Sequence, residues 1–376
     1  MGEIMFINIV LTLFFSVLLA NNATAQWHWA DEWEPHNAAI TTHTLPFNFK
    51  NPPVCRKPLH RNDPCSPHDP PTRKFSAPGR RVSEAKCYEY IWQMKVRHDR
   101  EERSTNCRQK RHIVGITYGE PTERGEHPNM GAIGWKLLTG EWTFMCGSTL
   151  ISPKFVLTAA HCSAASKKDT RFADVVPKIV RFGTRNLIKQ DTANALDVNI
   201  KKIIVHPNYK APRQYFDIAL MQLAKNVYFS ADVQPSCLWT NRDITFSSRL
   251  QIAGWGFTHE KSRETSPVLL KGEVDIIDSI TCNYLLGKMC NRNFCGLEDH
   301  QICAGNLSGG VDTCRGDSGG PLQVQLDLPI VDQGNINYVI GITSFGKSCG
   351  AKDQPGVYTR VFNFLDWIED IVWPGK

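Results

Sequence analysis

The last two thirds of this 376-residue chain read as an all-β protein. Short runs of strand-forming residues recur there, and Gly-, Pro- and Asn-containing turns separate them. The stretch closes on an amphipathic helical pattern, with Phe364, Trp367, Ile368 and Ile371 at i, i+3, i+4 and i+7. The first third differs in kind: proline recurs ten times between Pro35 and Pro78.

Residues Ile4 to Ala20 are apolar except for Asn8, Thr12 and Ser16, and Ala23-Thr24-Ala25 supplies small residues before Gln26. This reads as a secretory signal peptide, residues 1–25, although Met1-Gly2-Glu3 lacks the usual basic residue. The alternative is an uncleaved anchor; the run is short for that role and has no basic flank. Later stretches are not apolar enough to suggest stable membrane insertion. Gln26 to Arg81 has little apolar periodicity and reads as loop-rich and partly disordered. Residues 26–112 hold 16 Lys/Arg and 10 Asp/Glu, which accounts for the basic balance of the chain. Such a segment could meet anionic surfaces, but a solvated linker is the simpler reading, and nothing points to nucleic acid. Ser83 to Arg103 reads as a helix capped by Ser83, with Ala85, Tyr88, Ile91, Trp92 and Met94 near helical spacing.

From residue 113 the strands follow in turn. Phe144 to Ile151 is rich in strand formers, and Phe155-Val156-Leu157 leads into a turn at His161. Lys178 to Gly183 alternates as a half-buried strand should, and Asp197 to Val205 does so less regularly. His206-Pro207-Asn208-Tyr209 is a turn whose histidine is given no chemical role. Ile218 to Leu223 is an apolar strand, and Ile252 to Gly256 is a strand followed by a turn.

One decapeptide carries the chemistry: Asp312-Thr313-Cys314-Arg315-Gly316-Asp317-Ser318-Gly319-Gly320-Pro321. Glycines on both sides leave the Ser318 hydroxyl accessible. Gly316 has no Cβ, so its N–H can face the same point as that of Ser318, and two such donors make an oxyanion hole. A serine hydroxyl needs a positioned base. Thr158-Ala159-Ala160-His161-Cys162 offers one, and Asp217-Ile218-Ala219-Leu220 offers a carboxylate to orient it.

These three motifs, in the order His161, Asp217, Ser318, resemble the chymotrypsin/trypsin family of serine proteases over residues 113–376. The resemblance implies two antiparallel six-stranded β-barrels with the active site between them and a C-terminal helix. Ser83 to Tyr90 resembles the stretch that follows the clip module in insect clip-domain proteases of the snake-like group. A full clip module has six cysteines, and only Cys55 and Cys65 precede this stretch, so residues 26–112 are expected to hold a degenerate clip-like pro-segment.

Several expectations follow from the resemblance. Cleavage between His112 and Ile113 would free an α-amine that pairs with Asp317, so the chain reads as a zymogen. His112 departs from the Arg or Lys of the trypsin pattern, which calls for an activator that accepts His or for a trimming step. Asp312, six residues before Ser318, would form the base of the primary pocket, with Gly346 and Gly356 as its open walls, giving cleavage after Arg or Lys. Ser344-Phe345-Gly346 would bind substrate backbone, with Phe345 replacing the usual Trp. The implied disulfides are Cys146–Cys162, Cys282–Cys303, Cys314–Cys349 and Cys107–Cys237. Cys290 and Cys295 share one loop and can pair with each other; Cys55, Cys65 and Cys87 remain unassigned. Thirteen cysteines indicate an oxidising compartment, and their odd number leaves at least one thiol free or intermolecular. Asn306-Leu307-Ser308 is a glycosylation sequon. The family's calcium loop would fall at Phe182 to Leu196, where Asp191 is the only carboxylate, so no metal or other cofactor is expected.

The expected function is therefore a secreted, extracellular serine endopeptidase in a proteolytic cascade. Its implied partners are a protein substrate such as another zymogen, an upstream activating protease and a serpin-type inhibitor. A venom or digestive protease is an alternative; the long tethered pro-segment fits a digestive role less well. A non-catalytic homologue acting as a binding cofactor would normally have lost the nucleophile or base, and this chain retains both.

Overall fold

The computed structural model describes residues 70, 73–107, 122–188, 195–244, 250–257, 265–310, 312–314, 316–326, 328, 333–346 and 349–375. The signal segment, Cys55, Cys65, His112, Ile113 and Asp191 lie outside the described residues. Six strands form the first barrel: β1 (Met130–Lys136), β2 (Trp142–Ser152), β3 (Phe155–Thr158), β4 (Ile179–Phe182), β5 (Leu196–Val205) and β6 (Ala219–Leu223). They run β1-β2-β3-β6-β5-β4, and β1 pairs with β4 to close the ring. Leu150, Val156, Leu157, Leu220 and Met221 are fully buried in its core.

A short strand, β7 (Cys237–Leu238), leads to the second barrel: β8 (Leu250–Gly254), β9 (Leu270–Ile277), β10 (Gln301–Gly305), β11 (Pro321–Gln325), β12 (Asn337–Phe345) and β13 (Gly356–Arg360). Its order is β11-β8-β9-β10-β13-β12, closed by β11 with β12, and β7 adds to β12 in parallel. Leu322, Ile340 and Tyr358 lie at the centre of its core. The expected double barrel is thus present. The strands read from sequence are found within one or two residues of their expected ends.

Among the described residues three α-helices flank the barrels: α1 (Val82–Cys107), α2 (Ser279–Leu286) and α3 (Leu365–Val372). Asp278 caps α2, its carboxylate accepting from the Ile280 and Thr281 amides. In α1 the buried residues Ser83, Cys87, Tyr90, Ile91 and Met94 form one stripe. Tyr90, Ile91 and Met94 pack with Cys237 and Ile336, each contributing roughly 2 kcal/mol by removal of apolar surface from water. The Tyr90 hydroxyl donates to the Ile151 carbonyl at 3.1 Å. Beyond Met94 the helix is mostly charged and polar. Among the described residues no helix is long and apolar enough to cross a membrane.

Two details of the α1 region differ from expectation. Ser83 is not its cap: the Glu84 carboxylate accepts from the Arg81 amide, while Ser83 donates its hydroxyl to Glu369 on α3. Arg81 joins the same carboxylate and also Asp366, so the start of α1 is clamped to the C-terminal helix. The second correction concerns Cys237, which bonds Cys87 rather than Cys107. Cys87 lies on the docked stripe, whereas Cys107 ends the same helix, twenty residues and therefore about 30 Å farther along. The remaining expected disulfides, Cys146–Cys162, Cys282–Cys303 and Cys314–Cys349, are formed, and Cys290 pairs with Cys295.

Candidate active site

His161 sits on a single 3-10 turn (Ala160–Ser163) directly after β3. The Cys146–Cys162 disulfide ties that turn to β2. Asp217 immediately precedes Ile218 and the start of β6, which pairs with β3, so neighbouring strands of the first barrel deliver base and carboxylate side by side. Asp217 is only 4% exposed. One carboxylate oxygen accepts from the His161 amide at 2.9 Å and the other meets His161 Nδ1 at 2.8 Å. Ser344 donates its hydroxyl to the second oxygen, and Thr359 donates to the Asp217 carbonyl at 2.8 Å. Ser344 and Thr359 belong to β12 and β13, so the second barrel holds both the carboxylate and the backbone carbonyl of Asp217.

Burial pushes the Asp217 carboxyl up, but the imidazole and the donated hydrogen bonds outweigh it and hold the group below the usual carboxylate range. Burial pushes His161 down, and the adjacent carboxylate more than reverses this, leaving the ring more basic than usual. With Nδ1 turned to the carboxylate, the ring presents Nε2 as the free base.

Ser318 lies on the loop before β11, in contact with the histidine turn. Its carbonyl accepts from the Gly147 amide at 2.8 Å, and the Gly147 carbonyl in turn accepts from Thr158 Oγ1 at 2.9 Å. Gly319 makes this approach feasible. It has φ +79°, and a Cβ there would lie 2.1 Å from Thr158 Oγ1. Gly316 also has a positive φ, +99°, and packs against Gly256. The amides of Asp317, Gly319 and Gly320 bond the carbonyls of Cys314, Thr343 and Asp317, which fixes the loop.

The Asp317 side chain fills a slot where Cβ atoms at Gly254 and Gly256 would collide with it. It accepts from the Gly256 amide at 2.7 Å and the Cys314 amide at 2.8 Å. Burial still pushes its carboxyl up to about 6. Among the described residues no cation is paired with it.

Asp312 accepts from the Thr313 amide at 2.8 Å and the Gly350 amide at 3.1 Å, and burial raises it to about 6 as well. The Cys314–Cys349 disulfide joins the two loops that carry these groups. Gly346 and Gly356 face each other, since a Cβ on Gly346 would be 3.9 Å from the Gly356 Cα. A Cβ on Gly356 would reach Thr313 Oγ1 at 3.4 Å, beside Asp312. The fold therefore brings Gly346, Gly356 and Thr313, the neighbour of Asp312, together, with Ser344 and Phe345 ending the adjacent strand. Phe345 rests on Phe294, a neighbour that sequence reasoning did not identify. Asn306 is exposed in a turn next to this region, and its side-chain oxygen accepts from the Ser308 amide.

Among the described residues two groups bring three potential metal ligands together. Cys146, His161 and Cys162 form one, but both sulfurs are spent in a disulfide. His98, Asp99 and Glu102 form the other, a partly exposed set on α1 with Lys95 already on Asp99.

A base held by a buried carboxylate, next to a loop that carries a serine between glycines, suits acyl transfer. The Trypsin family model matches residues 116–368. The chain belongs to the trypsin family. It is 40% identical over 265 residues to serine protease snk of Drosophila melanogaster, an alignment covering 69% of this chain and 57% of that protein. It is 37% identical over 267 residues to serine protease Hayan of the same organism, covering 70% and 40%. The CLIP domain-containing serine protease HP8 of Bombyx mori is 37% identical over 261 residues, covering 66% and 67%. The chain thus spans about half the length of the first two relatives.

Proposed function

We propose that this trypsin-family chain is a secreted serine endopeptidase that cleaves after Arg or Lys. In this reading it is made as a zymogen and works in an extracellular proteolytic cascade. The observation that carries the catalytic reading is the Asp217–His161 pair, joined to the Ser318 loop through Gly147 and Thr158. In the reaction, Ser318 Oγ attacks the scissile carbonyl carbon as His161 Nε2 takes its proton. The carbonyl oxygen becomes an oxyanion between the Gly316 and Ser318 N–H groups. Asp217 stabilises the imidazolium, which returns the proton to the leaving amine as the C–N bond breaks. Water, deprotonated by His161, then hydrolyses the acyl ester and restores Ser318. Asp312 would hold the substrate's cationic side chain.

The zymogen reading rests on Asp317. Among the described residues this buried carboxylate has only backbone donors and is raised to about 6, and a cationic terminus released at Ile113 would neutralise it and stabilise the loop carrying Gly316. Residues 1–25 would be the signal peptide, 26–112 the pro-segment and 113–376 the protease domain. Through Cys87–Cys237 the pro-segment would stay attached after cleavage. Another zymogen as substrate, an upstream activating protease, a serpin-type inhibitor and a glycan on Asn306 complete the reading. It is tested by hydrolysis of matched Arg, Lys and Phe esters by the cleaved chain, with Ser318→Ala as control. Arg and Lys esters should be turned over and the Phe ester spared; activity that survives Ser318→Ala would refute the assignment.

A further inference from the structure

The loop closed by Cys290 and Cys295 is not used in the mechanism above, yet it touches both halves of the site. Both cysteines are exposed, while Phe294 between them is 1% exposed. The Phe294 ring meets Phe345, at the end of the substrate-binding edge, edge to face with centroids 4.8 Å apart. It also meets Tyr215 at 5.8 Å. The same segment holds the backbone that leads into Asp217. The Gln214 amide donates to the Asn293 carbonyl at 3.0 Å. The Tyr215 hydroxyl donates to the Gly296 carbonyl at 2.9 Å and accepts from the Cys295 amide at 2.9 Å. Just after the loop, Gln301 donates to the Gln214 carbonyl, and the Phe216 amide donates to His300 Nε2 at 3.1 Å. Phe216 needs that support, because its φ of +57° is an uncommon conformation for an aromatic residue.

We infer that the Cys290–Cys295 loop is a brace, and that Phe294 is a positioning and specificity-determining residue. It sets the height of Phe345 against an extended substrate while its loop fixes the approach to Asp217. This rests on the endopeptidase reading. A single-residue substrate fills only the primary slot, whereas an extended peptide also lies along Phe345. Loosening the brace should therefore weaken binding of extended substrates selectively.

The test compares the parent with Phe294→Ala, Phe294→Tyr and a Cys290→Ser/Cys295→Ser double variant. Substrates are a single-residue Arg ester and a tetrapeptide amide ending in Arg. For Phe294→Ala, KM for the tetrapeptide should rise about tenfold with kcat within about twofold, while kcat/KM for the ester falls less than about threefold. The double variant should show the same split, and Phe294→Tyr should restore parental values. Amide exchange on the uncleaved chain supplies an activity-free readout: Phe294→Ala should accelerate exchange at Gln214 and Phe216 while the β2 amides keep parental protection. Equal losses on both substrates, or unchanged exchange at Gln214 and Phe216, would overturn the brace. If exchange responds but the parent hydrolyses neither substrate, the endopeptidase reading fails and the brace stands as a property of the fold.

Discussion

Asp312 makes a quantitative prediction about pH. Its carboxyl is pushed from 3.8 up to about 6 by burial, against the pull of the Thr313 and Gly350 amides. A cationic side chain can bind only the ionised form. Apparent affinity should therefore scale with the ionised fraction, about 0.9 at pH 7 and about 0.1 at pH 5. Benzamidine, an amidinium that fills the slot without reacting, should bind the cleaved protein about tenfold more weakly at pH 5 than at pH 7. Near pH 6 binding should release about half a proton, because the cation favours the charged carboxylate. Titration calorimetry in two buffers of different ionisation enthalpy reads both quantities. Asp312→Asn should bind weakly at every pH with no proton release. A dissociation constant that stays flat between pH 5 and 7 would refute either the assignment of Asp312 to the slot or the desolvation argument.

Three further outcomes follow from the geometry. Asp217→Asn keeps an acceptor for the His161 amide but turns an NH2 toward Nδ1, which forces the wrong tautomer; kcat should fall roughly 10⁴-fold in steady-state assays with little change in melting temperature. Gly319→Ala would place a methyl 2.6 Å from the Gly147 carbonyl at a positive φ, so the chain should lose about 2–4 kcal/mol of stability, read as a drop of roughly 5–15 °C in melting temperature. After cleavage at Ile113, non-reducing denaturing electrophoresis should show the two chains joined in the parent and in Cys107→Ala, but separated in Cys87→Ala.

The candidate catalytic residues were legible because each lies in a contiguous motif: His161 on a turn after a strand, Asp217 before an apolar strand and Ser318 between glycines. Strands such as β2 and β6 were legible as runs of strand formers and apolar residues and were located within a residue or two, whereas the double barrel followed from the family resemblance. The Cys237 partner was not, because pairing depends on which face of α1 docks, and the Cys87-Tyr90-Ile91-Met94 stripe becomes decisive only once a partner surface at Ile336 and Cys237 exists. Ser344 was read only as part of a backbone edge, and the bond from its hydroxyl to Asp217 was not foreseen. Nothing in a linear sequence brings β12 to the start of β6. Phe294 and His300 escaped notice for the same reason: their contacts with Phe345 and Phe216 cross from one loop to another.

The central claim is that cleavage before Ile113 switches on a Ser318-dependent endopeptidase. The most direct measurement is amino-terminal sequencing after exposure to candidate activating proteases, with Arg-ester hydrolysis followed on the same sample and Ser318→Ala beside it. The account predicts that activity emerges in step with a new terminus at Ile113 and is absent from the variant. A complete Ile113 terminus with no Ser318-dependent hydrolysis would contradict it.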